Sequence, residues 1–367
     1  HNPRNHQLMK LYILLPLIII PSLIVGALWL FFSRLGKPVD KTKSTSYYYH
    51  AHKKIIVYAP QGNWFELDYY ELNAALDKFV VINEDFAKDD KYIFWKGRTQ
   101  DVDHATFHFI DEYIPADKQH VYSGVMQNGV YAKLHAIPGA DPKTYTKVNT
   151  GINRWHHQLT KDSARYYLND IPLDVDRASF RLITPHLAED NTFFYAVKVE
   201  TSTLEKMAKT QAMQGEMKLL HFDYVRAGNT IIYANGFNKF ISIPFNEKIT
   251  DTKVVSDYII FVNNRMLYDG ELHDGVDAAS FTNIQWDYYR DKNHVYYKGN
   301  MIENALPESF KVLRGDYAVD AHHAFYKTTM LAKANPSTFT YDVASGIATD
   351  GKRSFIDGKP LPLSEGK

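Results

Sequence analysis

A short phrase recurs along this chain: an aromatic-rich stretch, then about nine residues later an Asp/Asn-x-x-Ser/Thr-Phe/Tyr turn. The copies begin at Asp103, Asp141, Asp176, Asp277, Leu306 and Asn335, and their aromatic ends are Phe107, Tyr145, Phe180, Phe281, Phe310 and Phe339. Self-similarity at a fixed pitch is the signature of a repeat architecture, so no single residue can be given a role before the repeat is understood. The steps between turn starts are 38, 35, 101, 29 and 29 residues. A step of 101 spans about three ordinary units, which predicts two further degenerate copies, or an insertion, between 181 and 276.

Aromatic stretches precede the turns at Tyr92–Trp95, Arg165–Tyr167, Met266–Tyr268, His294–Tyr297 and Ala324–Tyr326, with Tyr131 before the Asp141 copy. Tyr, Phe and β-branched residues favour pleated, half-buried surfaces, and 26 Tyr with 21 Phe bring the aromatic content to 14%. The expected fold is therefore mainly β: roughly seven or eight antiparallel hairpin units with one-turn helical caps, stacked openly or closed like a propeller. In the caps, Asp or Asn is a preferred N-cap. Pro142, Pro307 and Pro336 then occupy the first helical position, where a missing N–H does no harm. This reading makes Asp103, Asp141, Asp176, Asp277 and Asn335 structural joints and sends Phe107, Tyr145, Phe180, Phe281, Phe310 and Phe339 into the core between units. Repeated calcium sites are the alternative, but calcium needs several oxygen ligands and each copy offers one carboxylate.

The stretch Tyr288-Tyr-Arg-Asp-Lys-Asn-His-Val-Tyr-Tyr-Lys-Gly299 resembles the signature of the DKNYY family of bacterial proteins. Fainter echoes are Asp89–Gly97 and Asp117–Tyr122, and the likeness extends in pieces over residues 86–345, strongest in 288–313. The resemblance implies a bacterial repeat protein exposed outside the inner membrane, of a family without an assigned reaction and without catalytic residues to transfer.

Residues 11–32 form a run of 22 without a charge, long enough at about 1.5 Å per residue to cross a hydrocarbon core of roughly 30 Å. The expected organisation is a tail (1–10), a transmembrane helix (11–32), a polar linker (33–54), a β-repeat domain (55–358, degenerate at 185–255) and a C-terminal tail (359–367). Arg4 and Lys10 precede the run, whereas Arg34, Lys37, Lys41 and Lys43 follow it. That charge bias argues for a cytoplasmic domain, against which stand the short N-terminal tail and the family resemblance. The expectation is a single-pass inner-membrane protein with a periplasmic domain. One segment departs from the β pattern: Ser202-Thr-Leu-Glu205 reads as a capping box opening an inserted amphipathic helix through Leu204, Met207 and Ala208 towards Leu220.

Charge excludes one class of partner. With 42 basic and 42 acidic residues the net charge is zero, and no basic stripe suits nucleic acid. Cysteine is absent, which removes disulfides and thiol nucleophiles. His156-His157 and His322-His323 lack zinc spacing, since neighbours on a strand point to opposite faces. No nucleophile elbow, phosphate loop or zinc-protease motif occurs, so no enzyme, cofactor or metal is expected. Three functions remain: a protein-binding module of the envelope, possessing an immunity-like or accessory role towards a secreted protein; a glycan-binding or glycan-processing protein using Trp64, Trp95, Trp155 and Trp286 as platforms, although Trp95 and Trp286 read as packing residues; and a self-assembling surface protein.

Overall fold

The computed structural model describes residues 22–26, 35–60, 69–127, 131–152, 158–198 and 200–362. The strands are short and arranged as successive four-stranded antiparallel meanders, in each of which sequence order is spatial order. The first comprises Leu35–Pro38, Tyr47–His50, Ile56–Tyr58 and Tyr70–Leu72. Further sheets occupy 80–100, 108–136, 146–172, 181–208, 217–244, 252–273, 282–301, 311–330 and 340–360. In the third, two hairpins are joined by a single bridge between Ala116 and Val121. Two compact units result, residues 1–149 with 158–172, and 150–157 with 173–367.

Burial explains why the second and third strands carry the aromatic signature. In the 282–301 sheet, Tyr288–Arg290 and Val295–Tyr297 are almost wholly buried, whereas the outer strands Thr282–Gln285 and Asn300–Met301 are mostly exposed. A central strand covered on both faces reads as a continuous apolar run and not as an alternation. The cover comes from sequence neighbours: Phe261, Phe281, Tyr289 and Tyr296 form one inter-sheet core, Tyr288, Tyr297, Phe310 and Phe325 the next, and Tyr317, Phe339 and Phe355 the one after. No sheet among the described residues closes on itself as a barrel.

A four-stranded meander separates two kinds of edge. The turns joining strands one to two and three to four lie at one edge. The turn joining strands two to three lies at the other, together with the connection to the next sheet. The first kind of edge uses tight two-residue reversals such as Asp269-Gly270, Lys298-Gly299 and Asp357-Gly358, with both residues at positive φ as type I′ turns require. Glycine is needed twice over here. A Cβ on Gly299 would stand 2.7 Å from Tyr268 Cβ in the preceding sheet, and one on Gly270 would stand 2.5 Å from the Tyr233 ring.

Several expectations are corrected. The expected antiparallel hairpins are present but joined into larger units: the described residues contain nine four-stranded sheets and the paired hairpins of 108–136, against the seven or eight hairpin units expected. The 101-residue step does hold three units, the sheets 181–208, 217–244 and 252–273, so the two further copies expected there are present. The supposed polar linker supplies the first two strands of the first sheet, with Tyr47 fully buried, and the supposed C-terminal tail supplies the last strand, Lys359–Pro360. The inserted helix is absent: Thr203–Ala208 is a strand paired with Phe193–Lys198, and Ser202 is a turn residue at φ 55°. Leu204 and Met207 pack opposite Val197 and Phe194, so cross-strand pairing overrides a spacing that also fits a helix. Most caps are single hydrogen-bonded turns; of those expected, Pro336–Thr338 alone is a 3-10 helix. Of the segment 11–32 only 22–26 is described, as helix, and among the described residues no helix is long and apolar enough to cross a membrane.

Candidate functional site

Each cap Asp fastens its own bend. Asp103 Oδ1 accepts the Ala105 N–H at 3.1 Å, Asp141 that of Lys143 at 3.0 Å, Asp176 that of Ala178 at 3.1 Å, and Asp277 that of Ser280 at 2.9 Å. Asn335 takes the N–H of Ser337 at 3.1 Å. The Lys292 ammonium 2.7 Å from Asp277, together with the Ser280 hydroxyl and N–H, lowers that carboxyl from 3.8 to about 2. The aromatic ends Tyr145, Phe180, Phe281, Phe310 and Phe339 are buried, and Phe107 is half-buried in the core beside Phe86 and Trp95. These residues lie at the bends of successive sheets, each bonded within its own turn.

A second Asp series, not singled out by the sequence reading, locks the same edge. Asp89, Asp117, Asp162, Asp190, Asp291, Asp320 and Asp350 are all buried at the turn between strands two and three. Asp291 Oδ1 accepts the N–H groups of Asn293 and His294 at 2.8 and 2.7 Å. Its Oδ2 accepts the Asp277 N–H at 2.9 Å and the Tyr296 hydroxyl at 2.7 Å. The same pattern recurs at Asp117 with Asp103 and Tyr122, at Asp162 with Asp141 and Tyr167, and at Asp190 with Asp176 and Tyr195. Burial pushes each of these carboxyls up, but the converging N–H and O–H donors outweigh it and leave them below the ordinary value. The offset from cap to latch is 14 residues at Asp103, Asp176, Asp277 and Leu306. That constancy is the signal which would have exposed it.

Three sheets replace the latch. In the first, His50 Nδ1 accepts the N–H groups of His52 and Lys53 at 3.0 and 3.1 Å, the same +2 and +3 offsets. The two sheets of the degenerate stretch use asparagine in two-residue turns. Asn229 Oδ1 accepts the Ile249 N–H at 2.8 Å and its Nδ2 donates to the Glu247 carbonyl at 2.9 Å. Asn263 Nδ2 donates to the Lys248 carbonyl at 2.8 Å while its Oδ1 accepts the Thr250 N–H at 2.9 Å. An amide donates and accepts where a carboxylate only accepts, so two asparagines grip the connection 245–251 from either side.

The opposite edge of the second unit is open. Turns of four consecutive sheets surround a cavity of about 700 Å³. Its wall contains Phe222, Phe237 and Tyr258 at the turn tips, 48, 59 and 51% exposed, with Tyr268 behind them. Tyr258 and Tyr268 stack with ring centroids 6.4 Å apart. Four carboxylates interleave with the rings. Asp223 lies 2.6 Å from His186 Nδ1, Asp257 3.2 Å from His221 Nε2, and Asp287 3.5 Å from Lys298 Nζ. Asp269 accepts from the Tyr233 hydroxyl and lies 3.1 Å from Lys239 Nζ. Trp286, beside Asp287, is 54% exposed at φ 50°, which corrects its reading as a packing residue; Trp95 is buried in an inter-sheet core. Trp64 and Trp155 lie outside the described residues, as do His156 and His157. His322 and His323 donate their N–H groups to the Asp320 latch, and no group of three or more metal-ligating side chains occurs among the described residues.

Short four-stranded antiparallel sheets, most of them locked at one edge by a buried carboxylate, define a β-repeat protein. The chain belongs to the DKNYY family, whose sequence profile matches residues 126–300 and 288–358. No curated protein matches the chain.

Proposed function

We propose that this chain is a protein-binding repeat module of the bacterial cell envelope, tethered through residues 11–32 and carrying its repeat domain outside the inner membrane. The observation behind this reading is the cluster of exposed Phe222, Phe237 and Tyr258 around one cavity on the turn edge. Exposed aromatics gathered in a concave patch favour a partner interface, where Tyr, Trp and Phe anchors carry most binding energy. Turn tips vary without touching the latches on the far edge, so one scaffold suits many partners. An immunity-like or accessory role towards a secreted protein follows within this class.

The test is affinity capture with the full tagged chain in detergent, comparing wild type with Phe237→Ser/Tyr258→Ser. A stoichiometric protein recovered by the wild type and lost by the variant supports the reading. Recovery of no protein, with oligosaccharides bound by the pure chain, overturns it in favour of a glycan-binding role, which the exposed Trp286 ring would serve.

A further inference from the structure

We propose that the turn-edge groove of the second unit takes an extended polypeptide segment bearing arginine or lysine side chains; this deepens the protein-binding reading and rests on it. The wall presents four carboxylates, Asp223, Asp257, Asp269 and Asp287, against one lysine, Lys298. Lys239 reaches Asp269 from behind and is itself shared with Glu271 at 2.9 Å. The chain as a whole has zero net charge, so the acidic excess is local to the groove and not a general property of the surface.

Rings and carboxylates are interleaved in the way a guanidinium requires. Its plane stacks on the exposed face of Tyr258 or Phe237, while its N–H fork reaches the neighbouring Asp257, the most exposed carboxylate of the set. Asp257 has an imidazole beside it and no lysine or arginine ion pair among the described residues, so its charge is available to an incoming cation. A neutral glycan could stack on the rings and donate hydroxyls to the carboxylates but would leave their net charge unpaired, and an anionic glycan would be repelled. The groove crosses the turns of four successive sheets. At about 10 Å per sheet-to-sheet step, three steps span roughly 30 Å, the length of about nine extended residues.

The probe is a fluorescein-labelled twelve-residue peptide with arginine at alternate positions, compared with the same peptide carrying glutamine and with a neutral hexasaccharide, using the full chain in detergent. Anisotropy should show binding of the arginine peptide that weakens at least tenfold between 50 and about 300 mM salt, as charge pairing demands. Asp257→Asn/Asp287→Asn should raise its Kd about tenfold, and Tyr258→Ser should do likewise, whereas Asp90→Asn, on an exposed turn of the first unit, should leave it unchanged. The salt titration uses the wild-type chain and so does not depend on any variant folding. No binding of the arginine peptide, equal binding of the glutamine peptide, or salt-insensitive binding overturns the proposal. If capture still recovers a protein through Phe237 and Tyr258 but the arginine peptide does not displace it, this inference fails and the protein-binding reading stands. If no protein is captured and the hexasaccharide binds, both fail.

Discussion

Asp291 Oδ2 accepts the backbone N–H of Asp277 at 2.9 Å, so one aspartate closes the bend that another, 14 residues earlier, begins. The two carboxylates carry different burdens. Asp291 is buried and serves four donors, whereas Asp277 is half-exposed and shares its charge with Lys292. Asp291→Ala strands three N–H groups and the Tyr296 hydroxyl and should cost about 3 kcal/mol or more, each orphaned buried donor being worth roughly 1–3. Asp277→Ala should shift the urea midpoint far less. Equal shifts for the two variants would refute the latch.

Tyrosine hydroxyls stitch neighbouring sheets on the open edge. Tyr224 donates to the Tyr258 carbonyl at 2.9 Å and accepts the Gly270 N–H at 2.8 Å, both in the next sheet. Tyr224→Phe keeps the ring and removes both bonds, so a loss of about 1–3 kcal/mol is expected. Hydrogen exchange should show the Gly270 amide losing protection ahead of the amides in strand Ile259–Val262. Unchanged protection at Gly270 would show that the stitch is not energetically coupled.

Gly299 and Gly275 share φ 78° but differ in surroundings. A Cβ at Gly299 meets Tyr268 at 2.7 Å, whereas one at Gly275 meets nothing within 4 Å. Gly275→Ala should cost about 1 kcal/mol of backbone strain, and Gly299→Ala should cost more, since sheet spacing must also give. Thermal denaturation of the two variants separates the terms.

Acid should unfold this protein through its latches. Asp117, Asp162, Asp190, Asp291, Asp320 and Asp350 all titrate below 3.8 when folded, and Asp277 falls to about 2. Groups with depressed folded values contribute stability that is complete above the unfolded value and lost as pH falls through the folded one. Melting temperature measured from pH 6 to 2 should therefore stay level down to about pH 4 and drop steeply below it. A profile that declines mainly above pH 5 would contradict the assignment.

His50 does with an imidazole nitrogen what the other sheets do with a carboxylate. Accepting two N–H groups at Nδ1 places the ring proton on Nε2, which lies 3.2 Å from the Tyr69 hydroxyl. His50→Asp should preserve the first hairpin, and His50→Ala should cost about 1–3 kcal/mol by orphaning two donors. Urea unfolding of both variants decides the matter.

Much of this organisation is legible in the sequence because turns are local chemistry. The bends from Asp103 to Asn335, their buried aromatics and the third strands from Tyr92 to Tyr326 all follow from neighbours within ten residues. What escapes is the partner across the sheet. Asp291 looks like part of a signature until Asp277 is seen beside it, although the fixed offset was there to be counted. Tyr47 and His50 hide in a lysine-rich stretch because His50 replaces the expected aspartate. Leu204 and Met207 fit a helix by spacing, and only their pairing with Val197 and Phe194 makes them a strand. The groove is harder still: Phe222, Phe237 and Tyr258 are far apart in sequence, and only the alternation of edges brings them to one side.

The 14-residue offset also has a direction. Every aspartate latch lies C-terminal to the bend it closes, so at those junctions the bend gains its buried acceptor only once the following turn has been synthesised. A chain halted within one of the aspartate-latched sheets would therefore carry an unfastened joint at its growing end.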